Sequence, residues 1–277
     1  MNSRSIVNHI NALAPLLDTT QMIRKMFEDG AENVNIIILV EAIERDAVLS
    51  LNILKMINSP LYCFPEQITS ISQAINLCGI HAMYGFIVYY SIEFSIVANL
   101  RPYRLSNTKF NDISHMQCIL MNKWYSKVDL HDAQILTPLA LIMESGKLVV
   151  AQEVVHETTI KEFINGIKNA VNISVYENSL FGTSSYYISG LLFEHWHLDQ
   201  LYVDILKGLD FEHGVSPIIS HYIDILDAVR TAVNVSSIFT EDSINEAAEI
   251  VSEIGLDVVH FKSVCISIKE TYLKNHS

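Results

Sequence analysis

Glycine and proline are scarce in this 277-residue chain, at 10 and 6 residues. A sheet protein with many tight turns would need more of both. Cysteine is also sparse, and Cys63, Cys78, Cys118 and Cys265 lie far apart, with no CxxC pair and no metal-ligand spacing. That excludes a disulfide framework and predicts free thiols in a reducing compartment. Basic residues number 18 against 31 acidic ones, for a net charge of −13, and no run of Lys or Arg reaches three. Such a field repels a phosphate backbone, so nucleic acid is not expected as a partner. Long apolar runs are missing too. The stretch most like a membrane span, Ala82–Leu100, is interrupted by Glu93. Its uncharged part, Ala82–Ile92, is well short of the roughly 20 residues a span needs. It reads as a buried core helix, and no membrane insertion is expected. The N-terminus lacks the apolar core of a secretory signal, so a cytoplasmic protein is expected. No P-loop, GxGxxG, HExxH or GxSxG pattern occurs.

Half of the residues are apolar, enough for a sizeable core, and helical punctuation recurs along the chain. Asp46 is placed to cap a helix running to about Ile57, with Val48, Leu51 and Leu54 on one face and Leu49, Ile53 and Met56 on the next. Apolar around much of its circumference, that helix is expected to be central. It ends at Asn58-Ser59-Pro60, because a residue before proline is pushed out of the α region. A short helix is expected from about Ser72 to Gly79, capped by Thr69 or Ser70. Thr137-Pro138 reads as an N-cap and first helical position, with Gly146 at that helix's end. Thr159 to Glu162 has capping-box spacing for a helix toward Val171. Ser216-Pro217 opens a helix toward Asn234, and Gly255 separates the last two helices, with Asp257 capping the second. Residues 171–177 (VNISVYE) are the one strand candidate. The predicted fold class is all-α, with two packed lobes, 1–100 and 101–277, meeting near Arg101–Asn111.

The most informative region is Asp46 to Gly79, in which D-x-x-L-x-x-x-I-L, N-S-P-x-Y and I-T-S-I-x-Q-A-I-x-x-x-G follow in order. Asp46, Asn58, Ser59, Pro60, Tyr62, Gln73 and Gly79 are candidate partner contacts, and turn and cap chemistry explains each of them equally well. Together with Leu13-Ala14-Pro15 and Val40-Glu41-Ala42-Ile43 upstream, this constellation resembles the HDOD family of bacterial signalling proteins, related to HD-type metal-dependent phosphohydrolases. The likeness is specific over about residues 10–100 and looser to about 230. It implies that the second lobe is a degenerate HD-like bundle.

Active HD enzymes hold their metal through histidines and aspartates around a His-Asp dyad. The segment Ala140–Leu148 resembles the dyad helix, and the dyad would fall at Met143-Glu144. Methionine is a poor ligand for a hard hydrolytic metal. The resemblance places His115 at the first histidine ligand and Ser185 where a histidine often stands. It places Leu209-Asp210 at a lost histidine pair and Asp227 at the final aspartate. His115, Glu144 and Asp227 are remnants, too few for a catalytic metal centre. His195 and His197, at i and i+2 around Trp196, face different ways and read as surface or capping residues.

No catalytic residue, metal or cofactor is therefore expected. The leading expectation is a non-catalytic regulatory protein of bacterial signal transduction that binds other signalling proteins. Two alternatives stay open. One is a sensor of a nucleotide-type small molecule in the vacated metal cleft, which Met143 would otherwise plug. The other is a residual HD-type phosphohydrolase using His115, Glu144 and Asp227.

Overall fold

The computed structural model describes residues 3–62, 64–155, 160–170, 172–210 and 215–276. Cys63, His156, His213 and the Thr159 end of the capping box lie outside the described residues. The first six helices are α1 (Ser3–Asn11), α2 (Asp18–Phe27), α3 (Ile36–Arg45), α4 (Ala47–Ile57), α5 (Ile71–Cys78) and α6 (Ile80–Ser95). Then come α7 (Asn107–Tyr125), α8 (Leu130–Ile142), α9 (Gly146–Val155), α10 (Ile160–Asn169) and α11 (Ile173–Phe181). The chain continues through α12 (Ser185–His195), α13 (Gln200–Gly208), α14 (Pro217–Ala232), α15 (Glu241–Glu253) and α16 (Val258–His276).

The fold is all-α with two helical lobes. Helices α2 to α5 pack on one another and on α6, and α6 packs in turn on α8, so it forms the seam between the lobes. α6 is buried along Ala82–Ile92, as an apolar run without a polar face must be. Gly85 lets it lie directly on α8, where a Cβ would sit 2.6 Å from the Pro138 Cβ. The second lobe is built on the α7–α8, α9–α12, α12–α13 and α13–α14 contacts. α1 reaches across to α9 and α12, and the Trp196 indole N–H donates to the Ala14 carbonyl at 3.1 Å, tying the Leu13–Pro15 lead-in to the second lobe. The last two helices form a cover. α15 lies on α14, and α16 lies on α7 and on the 3₁₀ turn Pro60–Tyr62, with Phe261 edge-on to Trp124 at 4.8 Å.

The caps show why these residues make these helices. Asp46 accepts from the Leu49 N–H at 3.0 Å, Ser216 caps α14, and Asp257 accepts from Val259 and His260. Ser70 accepts from Gln73 N–H while the Gln73 side chain accepts from Thr69 N–H, a reciprocal cap that starts α5 at Ile71 rather than Ser72. Gly79, at φ +86°, makes the left-handed turn between α5 and α6 that a side chain would strain.

Five expectations need correction. α4 is not central: Leu49, Ile53, Met56 and Ile57 are buried, whereas Val48 and Leu51 are exposed. Thr137-Pro138 lies inside α8, which begins much earlier because Asp129 caps it. Gly146 opens α9 instead of ending α8, and α8 gives way to a 3₁₀ turn, Met143–Ser145. Residues 173–177 are helical, since Asn172 accepts from Val175 N–H and starts α11; short alternation fits one helical face as well. α10 stops at Asn169, short of Val171. In the Arg101–Asn111 boundary stretch, residues 101–103 form a 3₁₀ turn with Pro102 and Tyr103 buried.

Among the described residues one unbroken helical stretch, Leu130–Val155, is long and apolar enough to cross a membrane by length and composition, with 89% of its window buried within the protein. The pair Ile71–Cys78 and Ile80–Ser95, bent by 119°, passes the same test only if taken together.

Candidate functional site

The dyad-like segment is held by two close backbone approaches. A Cβ on Gly146 would lie 1.9 Å from the Ser185 carbonyl oxygen, so only glycine lets α9 start against α12. The Gly146 N–H donates to Ser189 Oγ, and that hydroxyl donates to the Met143 carbonyl, both at 2.8 Å. The turn Met143–Ser145 is thereby fixed, with Glu144 and Lys147 facing the interior on the same side, three residues apart.

Both side chains are almost fully buried, and the Lys147 ammonium sits 2.5 Å from the Glu144 carboxylate. Lys147 also donates to Ser185 Oγ at 3.0 Å and lies 4.2 Å above the Tyr186 ring. Burial alone disfavours the ammonium, yet the Glu144 carboxylate beside it holds its pKa above the ordinary lysine value. Burial works against the Glu144 carboxylate too, and Lys147, with bonds from Gln117 and Tyr186, brings it below the usual range. Gln117 Nε2 and Tyr186 Oη each donate to Glu144 Oε1 at 2.9 Å. A second buried carboxyl, Glu177, accepts from Tyr103 Oη at 2.5 Å and from Ser185 N–H at 2.6 Å. Burial pushes it up, with Lys147 and these donors opposing.

A second cation stands on the other side of Tyr186. The Arg230 guanidinium lies 4.7 Å over that ring, where cation–π attraction is effective. It bonds Asp227 at 2.5 Å, Asp210 at 2.8 Å and the Leu209 carbonyl at 2.9 Å. Four of the positions matched by the resemblance thus meet in one network around Tyr186. Glu144 and Ser185 close on Lys147, and Asp210 and Asp227 close on Arg230.

His115 does not join them. It packs against the rings of Tyr62 and Tyr89, its Nε2 has no recorded partner, and burial pushes its pKa down to about 4. The α7 residue that reaches Glu144 is Gln117, two positions on and some 200° round the helix. Met143 is fully buried, but it is not what closes the centre, since Lys147 supplies that group. His195 is half-buried at the Leu13 carbonyl, and the His197 carbonyl accepts from Arg24.

A metal does not fit this donor set. A divalent ion would need carboxylates and imidazoles free to face it. Here the carboxylates already face ammonium and guanidinium groups, no imidazole among the described residues bonds to them, and an added cation would meet two fixed positive charges. Among the described residues one other group has ligand-like spacing: Asp129, His131 and Asp132, with atoms within 4.8 Å of one another. It sits at the N-terminus of α8, roughly 20 Å along the helix from Glu144 at 1.5 Å per residue. Asp129 serves there as the helix cap.

Beside the ion-pair network lies a half-open polar cleft of about 180 Å³, lined in part by Lys147, Tyr186, Asp227, Arg230 and Glu246.

Asn58, Pro60 and Tyr62 of the N-S-P-x-Y motif have structural roles, whereas the buried Ser59 hydroxyl has no hydrogen-bond partner among the described residues. Asn58 donates to the Leu54 and Ile68 carbonyls and accepts from Ile68 N–H, all at 2.8 Å, which closes the loop between α4 and α5. Pro60 begins the turn, and Tyr62 stands edge-on to Phe86 within the core.

The sequence profile of the HDOD domain matches residues 13–208, more than half of the chain. No curated protein matches in sequence. Among solved structures, a virulence factor from Campylobacter jejuni subsp. jejuni is 21% identical, with a TM-score of 0.55, over 94% of this chain and 95% of that one. An HDOD domain protein of unknown function from Geobacter sulfurreducens is 16% identical, with a TM-score of 0.68, over 98% and 93%. A protein from Shewanella amazonensis SB2B is 13% identical, with a TM-score of 0.72, over 96% and 94%. At these identities the likeness is one of fold.

Proposed function

Because the chain belongs to the HDOD domain family, we propose that it is a non-catalytic regulatory protein of bacterial signal transduction, acting through contacts with other proteins. The observation that carries this reading is the charge closure of the HD-like centre. Lys147 and Arg230 satisfy the carboxylates that metal chemistry would use. A hydrolase would need those carboxylates to hold an ion that activates water. The surface favours contact as well. Ile36, Ile37 and Ile38 at the start of α3, and Val48 and Leu51 on α4, are exposed aliphatic side chains on consecutive helices. Aliphatic groups of this size, held in water on rigid elements, are the material of a protein-binding patch.

The test has two arms. Hydrolysis of bis(p-nitrophenyl) phosphate and of a cyclic dinucleotide is measured with added manganese, for wild type and Asp227→Ala. No turnover above buffer is expected from either, and metal-dependent turnover lost in Asp227→Ala would overturn the reading. In cells, proximity labelling is compared between wild type and Ile37→Asp/Leu51→Asp. The reading expects specific protein neighbours that disappear in the variant while its melting temperature stays unchanged. Identical neighbours would move the contact elsewhere.

The polar cleft beside Lys147 and Arg230 favours one second reading, a small-molecule sensor. A ligand held there would raise the melting temperature with the logarithm of its concentration above Kd, and less so in Asp227→Ala.

A further inference from the structure

A second cavity, sharing no residue with the ion-pair cleft, lies between the α5–α6 corner and the α7–α8 pair. It measures about 210 Å³ and adjoins another of about 310 Å³, the two sharing Leu77, Cys78, Ala82, Asn122 and Thr137. Its inner wall is aromatic, with Tyr62, Phe64 and Phe86 meeting ring to ring. Such a surface takes a flat apolar body by stacking and edge contacts. At about 30 Å³ per water-sized group, the inner part alone holds about seven such groups, the bulk of a single indole or substituted benzene.

Two features point to a ligand rather than to loose packing. Thr137 is 3% exposed, lines both parts of the groove, and its buried hydroxyl has no recorded partner. A buried hydroxyl without a partner is costly, and this one lies on the wall of the groove, where a ligand atom can satisfy it. It stands next to Pro138, which has no N–H for the carbonyl of Gln134, itself a lining residue. Charge is the second feature. In a chain with 31 acidic residues, no carboxylate among the described residues lines either part of the groove, and Lys123 stands at the inner part with no ion pair to a described residue. His81, in the outer part, is held toward its neutral form mainly by burial. Cationic ligands gain nothing here, whereas an anionic head group gains Lys123.

We propose that this groove is a binding site for a small aromatic carboxylic acid. The ring lies against the wall formed by Tyr62, Phe64 and Phe86, a polar ring atom meets the Thr137 hydroxyl, and the carboxylate meets Lys123. The site is independent of the partner-contact reading, and its test is separate.

The probes are indole-3-acetate, neutral 3-methylindole and cationic tryptamine, titrated against the full chain by equilibrium dialysis. Indole-3-acetate is expected to bind with Kd below about 1 mM, 3-methylindole more weakly, and tryptamine not measurably. Lys123→Glu should weaken the acid about tenfold or more and leave 3-methylindole within about twofold, since that substitution removes only the charge contact. Leu77 is exposed at the mouth, and Leu77→Trp should abolish binding of both without loss of fold. Thr137→Val should weaken both probes and leave the melting temperature equal or higher, because it removes an unbonded hydroxyl. A purely structural Thr137 would not give those opposite signs. Absence of binding by all three probes, tryptamine binding as tightly as the acid, or undiminished binding in Leu77→Trp would each overturn the proposal.

Discussion

The Glu144–Lys147 pair sets the stability of the second lobe, and Lys147→Met is the substitution that exposes it. Both partners are about 98% buried, so the lost cation leaves a carboxylate that water cannot reach. Breaking a buried pair from one side costs about 3–5 kcal/mol. Glu177 adds to the effect, since two buried carboxyls would then share one interior without a counter-ion. Glu144→Gln in the same chain removes the stranded charge and keeps an oxygen for the Gln117 and Tyr186 donors. The double variant is therefore expected within about 2 kcal/mol of wild type, although the single losses would add to about twice that or more. Urea unfolding of the four proteins measures this. At an m-value of about 2–3 kcal/mol/M, Lys147→Met should move the midpoint down by about 1–2 M. The sign with pH is also determined. Without Lys147 the Glu144 carboxyl has a folded pKa raised above its unfolded value, so stability returns as pH falls and is lost as pH rises. Lys147→Met should be less destabilised at pH 5 than at pH 8. A loss below about 1 kcal/mol in Lys147→Met, or a double variant as weak as the sum of the singles, would refute the reasoning.

Three further outcomes follow from single sites. His115 has a folded pKa of about 4, below its unfolded value of about 6.5, so its stability contribution is complete above pH 6.5 and drains away as pH falls toward 4. His115→Phe should flatten the melting-temperature profile between pH 6.5 and 4.5 by an amount of order 2–3 kcal/mol. Asn58→Ala removes three hydrogen bonds that close the α4–α5 loop and should cost about 2–4 kcal/mol in urea unfolding; a loss under 0.5 kcal/mol would leave the motif without its structural role. Gly146→Ala drives a methyl into the Ser185 carbonyl and should cost about 3 kcal/mol or more, whereas Gly182→Ala meets no atom within 4 Å and should cost only its positive-φ strain of about 1 kcal/mol.

The fold was largely legible because helix ends carry their own chemistry. Asp46, Ser70, Ser216 and Asp257 cap through their own side chains, a local bond that needs no tertiary context. Where context decides, the reading failed. Pro138 looks like a helix start, but Asp129 had already begun α8 and packing on Gly85 carries the helix through the proline. Val48 and Leu51 look like core residues by hydropathy, and nothing in a sequence says that the facing surface is absent. At the candidate site, Glu144, Ser185, Asp210 and Asp227 were found through the family likeness, and their partners were not. Glu144 and Lys147 at i, i+3 resemble an ordinary surface ion pair. The available signal was their setting, the only charges between Ala133 and Ala151. Arg230, three residues after Asp227, repeats that spacing. The family likeness places His115 at the first ligand position, yet Gln117, two residues along the helix, is the side chain that meets Glu144.

The central claim is that fixed side-chain cations, Lys147 and Arg230, close the HD-like centre where a metal would otherwise sit. The measurement that meets it most directly is the metal content of the full chain, purified without chelator or metal-affinity tag. Less than about 0.1 equivalent of iron, manganese or zinc is expected, because Glu144, Asp210 and Asp227 are already paired with Lys147 and Arg230. About one equivalent, lost in Asp227→Ala, would contradict it.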